Sequence, residues 1–312
     1  MSELGEPRVM AVVVSWNPDP ALLTRQFAAL GPQIAKLIVV DNASSPAVQS
    51  IIAAAVADCG GEYHPQEENT GLAAAQVHGI GRALILGASH VLLLDQDSLP
   101  AADMIARLLT ALSDLAGRGF PVAAVGPRLI AARDGGSSPW VRFHWWGVEK
   151  IPAGDALTPP YTASDFLIAS GLLAPASVYE TVGLPEAGLF IDNVDMEWSF
   201  RARARGFRLY GVNAAVLTHR LGERTAYLPG LRRLGAIHIH GPLRQYYQIR
   251  NRLRLYSRRY CPWAWKLQDF PRALFKLFYF SCVVPPRGRN ARMMALAVWD
   301  ALRGVSGRCP YE

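Results

Sequence analysis

Three short aliphatic runs, Val9–Val14, Leu37–Val40 and Val91–Leu94, each stop at a polar cluster, and helical spacing fills the stretches between them. Runs this short and this evenly apolar are buried on both faces, as are strands inside a parallel sheet covered by helices. The helix signals agree. The Pro18–Pro20 turn leads into Ala21–Leu30, Pro46 opens a helix reaching Ala57, and Asn69-Thr70-Gly71 precedes an Ala-rich one from Leu72 to Leu86. The spacing therefore predicts an α/β fold with parallel strands. In open α/β sheets ligands bind beyond the carboxyl ends of the strands, so the polar clusters there are where chemistry is expected.

The rest of the chain carries weaker signals. Gly135–Pro139 and Pro152–Pro160 read as loops around the aromatic stretch Trp140, Phe143, Trp145 and Trp146. Asp165–Leu173 reads as a further buried strand and Asp192–Arg205 as an arginine-rich helix. With 51% hydrophobic residues in 312, the chain can bury a sizeable core, which excludes global disorder. Cys59, Cys261, Cys282 and Cys309 are scattered without CxxC spacing, against a disulfide framework or a zinc finger. The opening MSELGEPRVM lacks the basic-then-apolar pattern of a secretory leader, and no uncharged apolar run is long enough to span a bilayer. The expectation is a cytoplasmic protein.

Charge divides the chain. Residues 231–312 hold 16 Lys and Arg against 3 Asp and Glu, whereas residues 1–230 hold 16 against 22. We place the boundary near Pro229, with a catalytic domain over 1–229 and a basic helical extension over 230–312. Within the extension, Tyr246, Ile249, Leu253, Tyr256 and Tyr260 recur at spacings of three and four, with Arg250, Arg254 and Arg258 beside them. Downstream, Trp263, Trp265, Phe270, Leu274, Phe275, Phe278 and Tyr279 add apolar bulk and Lys266, Arg272 and Lys276 add charge. Apolar residues flanked by cations suit an anionic membrane surface, and packing on the body or on a second subunit is the competing expectation. A nucleic-acid arm is disfavoured, because the arginines interleave with apolar residues at helical spacing.

Several residues can carry chemistry. Asp95-Gln96-Asp97 closes a strand, and two carboxylates two apart can face one hard divalent cation such as Mg²⁺ or Mn²⁺; a solvated turn is the alternative. Asp41 ends another strand and can accept from a base or a ribose, or cap the next helix. Asn69-Thr70-Gly71 sits where a helix N-terminus favours anions, or merely caps it. In Val194–Arg201, Glu197 and Arg201 at i,i+4 read as a structural pair, while Asp195 has no cation at i+3 or i+4 and is free to act as a base. His219 gains interest only beside the other carboxylates.

Taken in order, Val12–Asn17, Val39–Asn42, Asn69–Gly71, Asp95–Asp97, Ser170-Gly171, Val194–Arg201 and His219-x-x-Gly222 resemble the family 2 inverting glycosyltransferases of the GT-A fold, over roughly residues 8 to 224. The Asp-Gln-Asp-Ser sequence, the stretch Phe190–Trp198 and the downstream Tyr246-Tyr247-x-x-Arg250-Asn251 resemble bacterial rhamnosyltransferases. The resemblance implies a GT-A nucleotide-binding domain in which Ser15, Asn17 and Asp41 hold the nucleoside. It implies Asn69 and Gly71 near the diphosphate, Asp95 and Gln96 in the nucleotide-sugar site, and Asp97 and His219 as ligands of Mg²⁺ or Mn²⁺. It further implies Asp195 as catalytic base and Ser170, Gly171 and Trp198 on the acceptor side. The implied reaction is inverting transfer of a sugar, L-rhamnose from dTDP-L-rhamnose, to a saccharide or lipid-linked acceptor of a cell-surface polysaccharide such as O-antigen. A UDP-sugar such as a galactofuranose donor is the alternative on the same fold, and a homo-oligomer is compatible with the resemblance. The chain departs from the family at Val194, where many members carry a second acidic residue.

Overall fold

The computed structural model describes residues 6–132, 135–154, 159–219, 225–226, 237–238 and 240–311, with backbone only for 225–226 and 237–238. Arg220 to Gly222, the boundary near Pro229 and part of the 152–160 loop lie outside them.

Among the described residues, nine strands form one mixed sheet. The parallel half is β1 (Val9–Ser15), β2 (Lys36–Asp41), β3 (Glu62–Pro65) and β4 (His90–Asp95), in the order β3-β2-β1-β4. Alternate residues of β1 enter opposite cores, with Val9, Ala11 and Val13 on one face and Met10, Val12 and Val14 on the other. Burial on both faces is why these runs do not alternate in polarity. Helices α1 (Pro20–Leu30), α2 (Pro46–Asp58) and α4 (Met104–Gly117) supply the first face through Leu23, Phe27, Ile52 and Leu108. Helix α3 (Leu72–Ile85), α5 (Ala176–Val182) and α6 (Val194–Ala204) supply the second through Ala75, Ile80, Val178 and Trp198.

The other half is built from β5 (Ser98–Pro100), β6 (Val122–Ala131), β9 (Tyr161–Ser164), β10 (Leu173–Pro175) and the long β11 (Arg208–His219), with β7 (Trp140–His144) and β8 (Gly147–Ile151) as a separate hairpin. Two sequence expectations change here. Asp165–Leu173 is mostly irregular rather than a strand: only its end joins β10. Leu167 and Leu172 are buried from a loop, and Asp165 is tied by the Phe143 amide at 2.7 Å and by Arg203 at 2.9 Å. Gly171, at φ +86, turns the chain where a Cβ would meet Pro127 at 2.4 Å. The second change is that helix α6 starts at Val194 rather than Asp192, because Asp192 and Asn193 adopt left-handed φ values of 64 and 63.

The C-terminal helices α7 (Pro242–Ser257), α8 (Trp263–Cys282) and α9 (Arg287–Leu302) pack onto this body. Tyr246, Tyr247, Phe280 and Met294 enclose Phe190 in one cluster, and Leu255 and Trp265 join Phe200 in another. This corrects the membrane expectation for Tyr246–Tyr260. Tyr246 and Ile249 are buried, and Arg250 is fully buried over the Tyr246 and Tyr247 rings. Arg254 and Arg258 both pair with Glu186, at 2.9 and 2.8 Å. The stripe meets protein, and its cations are used inside the molecule. No helix of the described residues is long and apolar enough to cross a membrane.

Candidate active site

The parallel registers bring three polar strand ends together, since β1 pairs Ser15 with Asp41 on one side and Val14 with Asp95 on the other. Asp41 is fully buried and accepts from Ser15 Oγ at 2.9 Å, the Ser44 amide at 3.0 Å and Gln49 Nε2 at 3.3 Å. Ser15 and Asp41 thus hold each other beneath the surface. Asn17 is exposed in a left-handed conformation, its amide on Ser44 Oγ and its side-chain oxygen on the Ser45 amide. Gln96 exchanges two hydrogen bonds with the Trp16 backbone, fastening the β4 turn to the β1 turn.

Asn69 accepts from Asn42 Nδ2 and from the Gly71 amide, both at 3.0 Å, while the Thr70 amide donates to Asn42 at 2.9 Å. Gly71 stands at φ +88, where a Cβ would lie 2.5 Å from the Phe190 ring. What the glycine makes room for is Phe190, whose carbonyl also takes the Ala73 amide at 3.0 Å. Part of the helix N-terminus predicted to favour anions is therefore occupied by the chain itself.

After Asp95 the chain makes a tight turn into β5, which pairs antiparallel with the end of β11 and sets Ser98 opposite His219. Asp95, Asp97 and His219 consequently form a half-buried group whose ligand atoms all lie within 4.8 Å of one another. His219 Nδ1 is 3.5 Å from Asp97 and 2.9 Å from Ser98 Oγ, and Ser98 is 2.6 Å from Ser170 Oγ. Gln26 fixes the same turn by donating to the Asp95 and Ser98 carbonyls. Burial, with the Asp97 charge adding to it, raises the Asp95 carboxyl above the ordinary carboxylate range, against the opposing pull of His219 and Arg244. Two carboxylates and an imidazole at this spacing are a donor set that fits Mg²⁺ or Mn²⁺.

Asp195 lies in the first turn of α6. Burial pushes its carboxyl up to about 6, with the charges of Asp95 and Asp192 adding and the amides of Met196 and Ala169 opposing. The turn that presents it is strained: Phe190, Asp192 and Asn193 all have positive φ. Helix α7 holds that turn. Asn251 Nδ2 donates to the Leu189, Ile191 and Asp192 carbonyls at 2.9, 2.7 and 2.9 Å. Arg250 donates to the Leu189 carbonyl at 3.1 Å, and Arg244 pairs with Asp192 at 3.1 Å. Sequence reading assigned Arg250 and Asn251 to an extension. Their signal was present as a motif, and their partner was not.

Of the acceptor-side residues, Ser170 is buried but lines an open, largely apolar cleft of about 280 Å³ with His219, Phe166 and Leu129. Gly171 sits at the turn beside it. Trp198 is a correction. It is 3% exposed, packs on Tyr179 and donates its indole N–H to the Gly183 carbonyl at 2.9 Å, so it is a core residue rather than a saccharide platform. Glu197 and Arg201 form the structural pair expected, at 2.8 Å.

An open, mixed α/β sheet covered by helices, with carboxylates gathered at its strand ends, is the architecture of the GT-A class. Residues 11–146 match the model of glycosyl transferase family 2. Over 97% of its length it is 27% identical to dTDP-rhamnosyl transferase RfbF of Shigella flexneri, covering 98% of that protein. Among solved structures it resembles Staphylococcus aureus TarS 1-349 in complex with UDP-GlcNAc, with a TM-score of 0.57 and 14% identity over 96% of this chain and 81% of that one. It also resembles GalNAc-T7 with UDP, GalNAc and Mn²⁺, with a TM-score of 0.59 and 14% identity over 97% of this chain. The chain spans 59% of the GalNAc-T7 chain, and at these identities the likeness is one of fold.

Proposed function

We propose that this glycosyltransferase moves L-rhamnose from dTDP-L-rhamnose to a hydroxyl of a saccharide acceptor with inversion at the anomeric carbon. The observation that carries the chemistry is the raised carboxyl of Asp195, close enough to the Asp95, Asp97 and His219 group for the Asp95 charge to act on it. The full-length similarity to a dTDP-rhamnosyl transferase supports the choice of donor.

In this reading Asp195 accepts the acceptor hydroxyl proton as that oxygen bonds to the anomeric carbon. The bond from that carbon to the diphosphate oxygen breaks, and the electron pair leaves with the nucleoside diphosphate. Asp97 and His219, with Asp95, would hold a divalent cation, which when bound offsets negative charge on the diphosphate. Asn17, Asn69, Gln96 and the Asp41 network line the nucleotide side. Ser170 and the cleft beside it face the acceptor. A raised carboxyl suits a base working near neutral pH, because a group already ionised at acid pH would bind a proton too weakly.

The test is donor-dependent nucleotide release by purified full-length protein with Mg²⁺ or Mn²⁺. Release from dTDP-L-rhamnose well above that from UDP-galactofuranose and other UDP-sugars supports the reading. Preference for a UDP-sugar would keep the enzyme class and overturn the donor.

A further inference from the structure

We propose that the outer face of α8 is a docking surface for an anionic lipid bilayer. Trp263, Leu267, Phe270, Leu274 and Phe278 follow one another at spacings of four and three, so they form a single stripe along the helix. All five are exposed, from 81% at Trp263 and 61% at Phe278 to 51% at Phe270, while Trp265, Asp269 and Phe280 on the opposite side are buried. The stripe is therefore the outward face of a helix whose inward face is already satisfied. The β7–β8 hairpin widens it: Gln268 of α8 donates to the Trp145 carbonyl at 3.2 Å, and Trp145 and Trp146 are 73% and 67% exposed. Scattered exposed leucines are ordinary, but a continuous row of large apolar and aromatic groups is a contact surface.

Charge selects the occupant. Between 263 and 311 the only acidic residues are Asp269 and Asp300, and both are buried, paired with Arg252 and with Tyr246. Arg272, Arg287, Arg289 and Arg292 are exposed and have no ion-pair partner among the described residues. Arg287 and Arg289 begin α9 within seven residues of the end of α8, and a second copy meeting this region by a two-fold axis would bring the same cations and no exposed carboxylate of 263–311 to pair with them. An anionic leaflet complements them, and aromatic side chains beside basic ones are what an interfacial helix presents to headgroups. With one face in the protein core, α8 lies along the surface and does not insert across it.

The experiment is sedimentation of the full-length protein with phosphatidylcholine vesicles and with phosphatidylcholine/phosphatidylglycerol vesicles, at low and high salt. Binding is expected only to the anionic vesicles and only at low salt. Two variants with exposed substitutions separate the contributions, each checked for an unchanged melting temperature. Arg287→Gln with Arg289→Gln should weaken binding about 25-fold, from about fivefold per cation. Phe270→Ser with Phe278→Ser should abolish it with all cations retained. Equal recovery in the supernatant for both vesicle types overturns the proposal, as does wild-type binding by both variants. A lipid-free dimer that the Phe270→Ser, Phe278→Ser variant disperses would assign the face to a second copy and overturn it equally.

Discussion

The two sides of the site are held in different ways. Asp95, Asp97 and His219 are placed by strand register: β4 pairs with β1, β5 with β11, and short hydrogen bonds from Gln26, Ser98 and Ser170 fix the turn between them. Asp195 is placed by a strained turn that α7 clamps from up to 62 residues away in sequence. The first side would persist in any sheet of this topology. The second depends in addition on the docked C-terminal helix, whose Asn251 and Arg250 hold the turn. What charge alone marks as an appended basic piece is part of the machinery that aims the base.

Substitutions on each side test this difference separately. The largest effect falls on the strand-end side. Asp97→Ala should lower turnover with saturating Mg²⁺ by about 10³-fold or more, corresponding to several kcal/mol of lost charge stabilisation. Single-turnover assays in chelator and in metal check it, and full wild-type activity in chelator would remove the metal from the account.

Next comes the clamp. Asn251→Ala removes the amide group that three carbonyls of the 189–192 turn share, of which Leu189's keeps Arg250, and should cost about 2 kcal/mol of stability, at about 1 kcal/mol for each of its two N–H groups. In the fraction still folded, turnover should fall while donor affinity holds, because the nucleotide side belongs to the other half. Denaturant unfolding together with donor titration reads both. Loss of donor affinity in step with turnover would mean that the two sides are not separately held.

A similar loss of stability is expected at Gly71, where Ala must adopt a positive φ against the Phe190 ring. Gly71→Ala should destabilise by about 1–3 kcal/mol, the range for strain at such a position. Thermal melting measures it. A neutral outcome would show that Phe190, and the turn it starts, gives way easily.

Asp195 itself offers a test of opposite sign. Its carboxyl is raised to about 6 in the folded protein against an ordinary 3.8, so the folded state binds the proton more tightly than the unfolded one. Stability is then lost as pH rises from about 4 to about 6, and the penalty is complete above that window. Asp195→Asn should melt higher than wild type at pH 8 by up to about 3 kcal/mol, with the gap closing toward pH 4. An unchanged or lower melting point at pH 8 would place the carboxylate in a well-solvated setting.

The parallel half was readable from sequence because burial on both faces leaves uninterrupted aliphatic runs, and each run stops at the polar residues that form the site. Asp165–Leu173 misled for a physical reason: Leu167 and Leu172 are buried from a loop, and apolar content does not distinguish that from a strand. Strands such as β7 and β9, half-buried and mixed in polarity, carried no clean period. The α7 stripe was readable as amphipathic, but periodicity does not say what covers it. Arg250 shows the limit most clearly, since a fully buried guanidinium satisfied by carbonyls has the same sequence signature as one facing solvent.

The pH dependence of turnover tests the central claim most directly, that the burial of Asp195 makes it the base. With saturating donor and acceptor, the full-length enzyme should show turnover rising with a slope of one below about pH 6 and level above it, the limb belonging to Asp195. Replacing Asp195 with Asn should remove the limb and lower the plateau by about 10²–10⁴ while donor affinity is kept. A limb that survives in Asp195→Asn, or a plateau close to wild type, would contradict the assignment and put the base elsewhere.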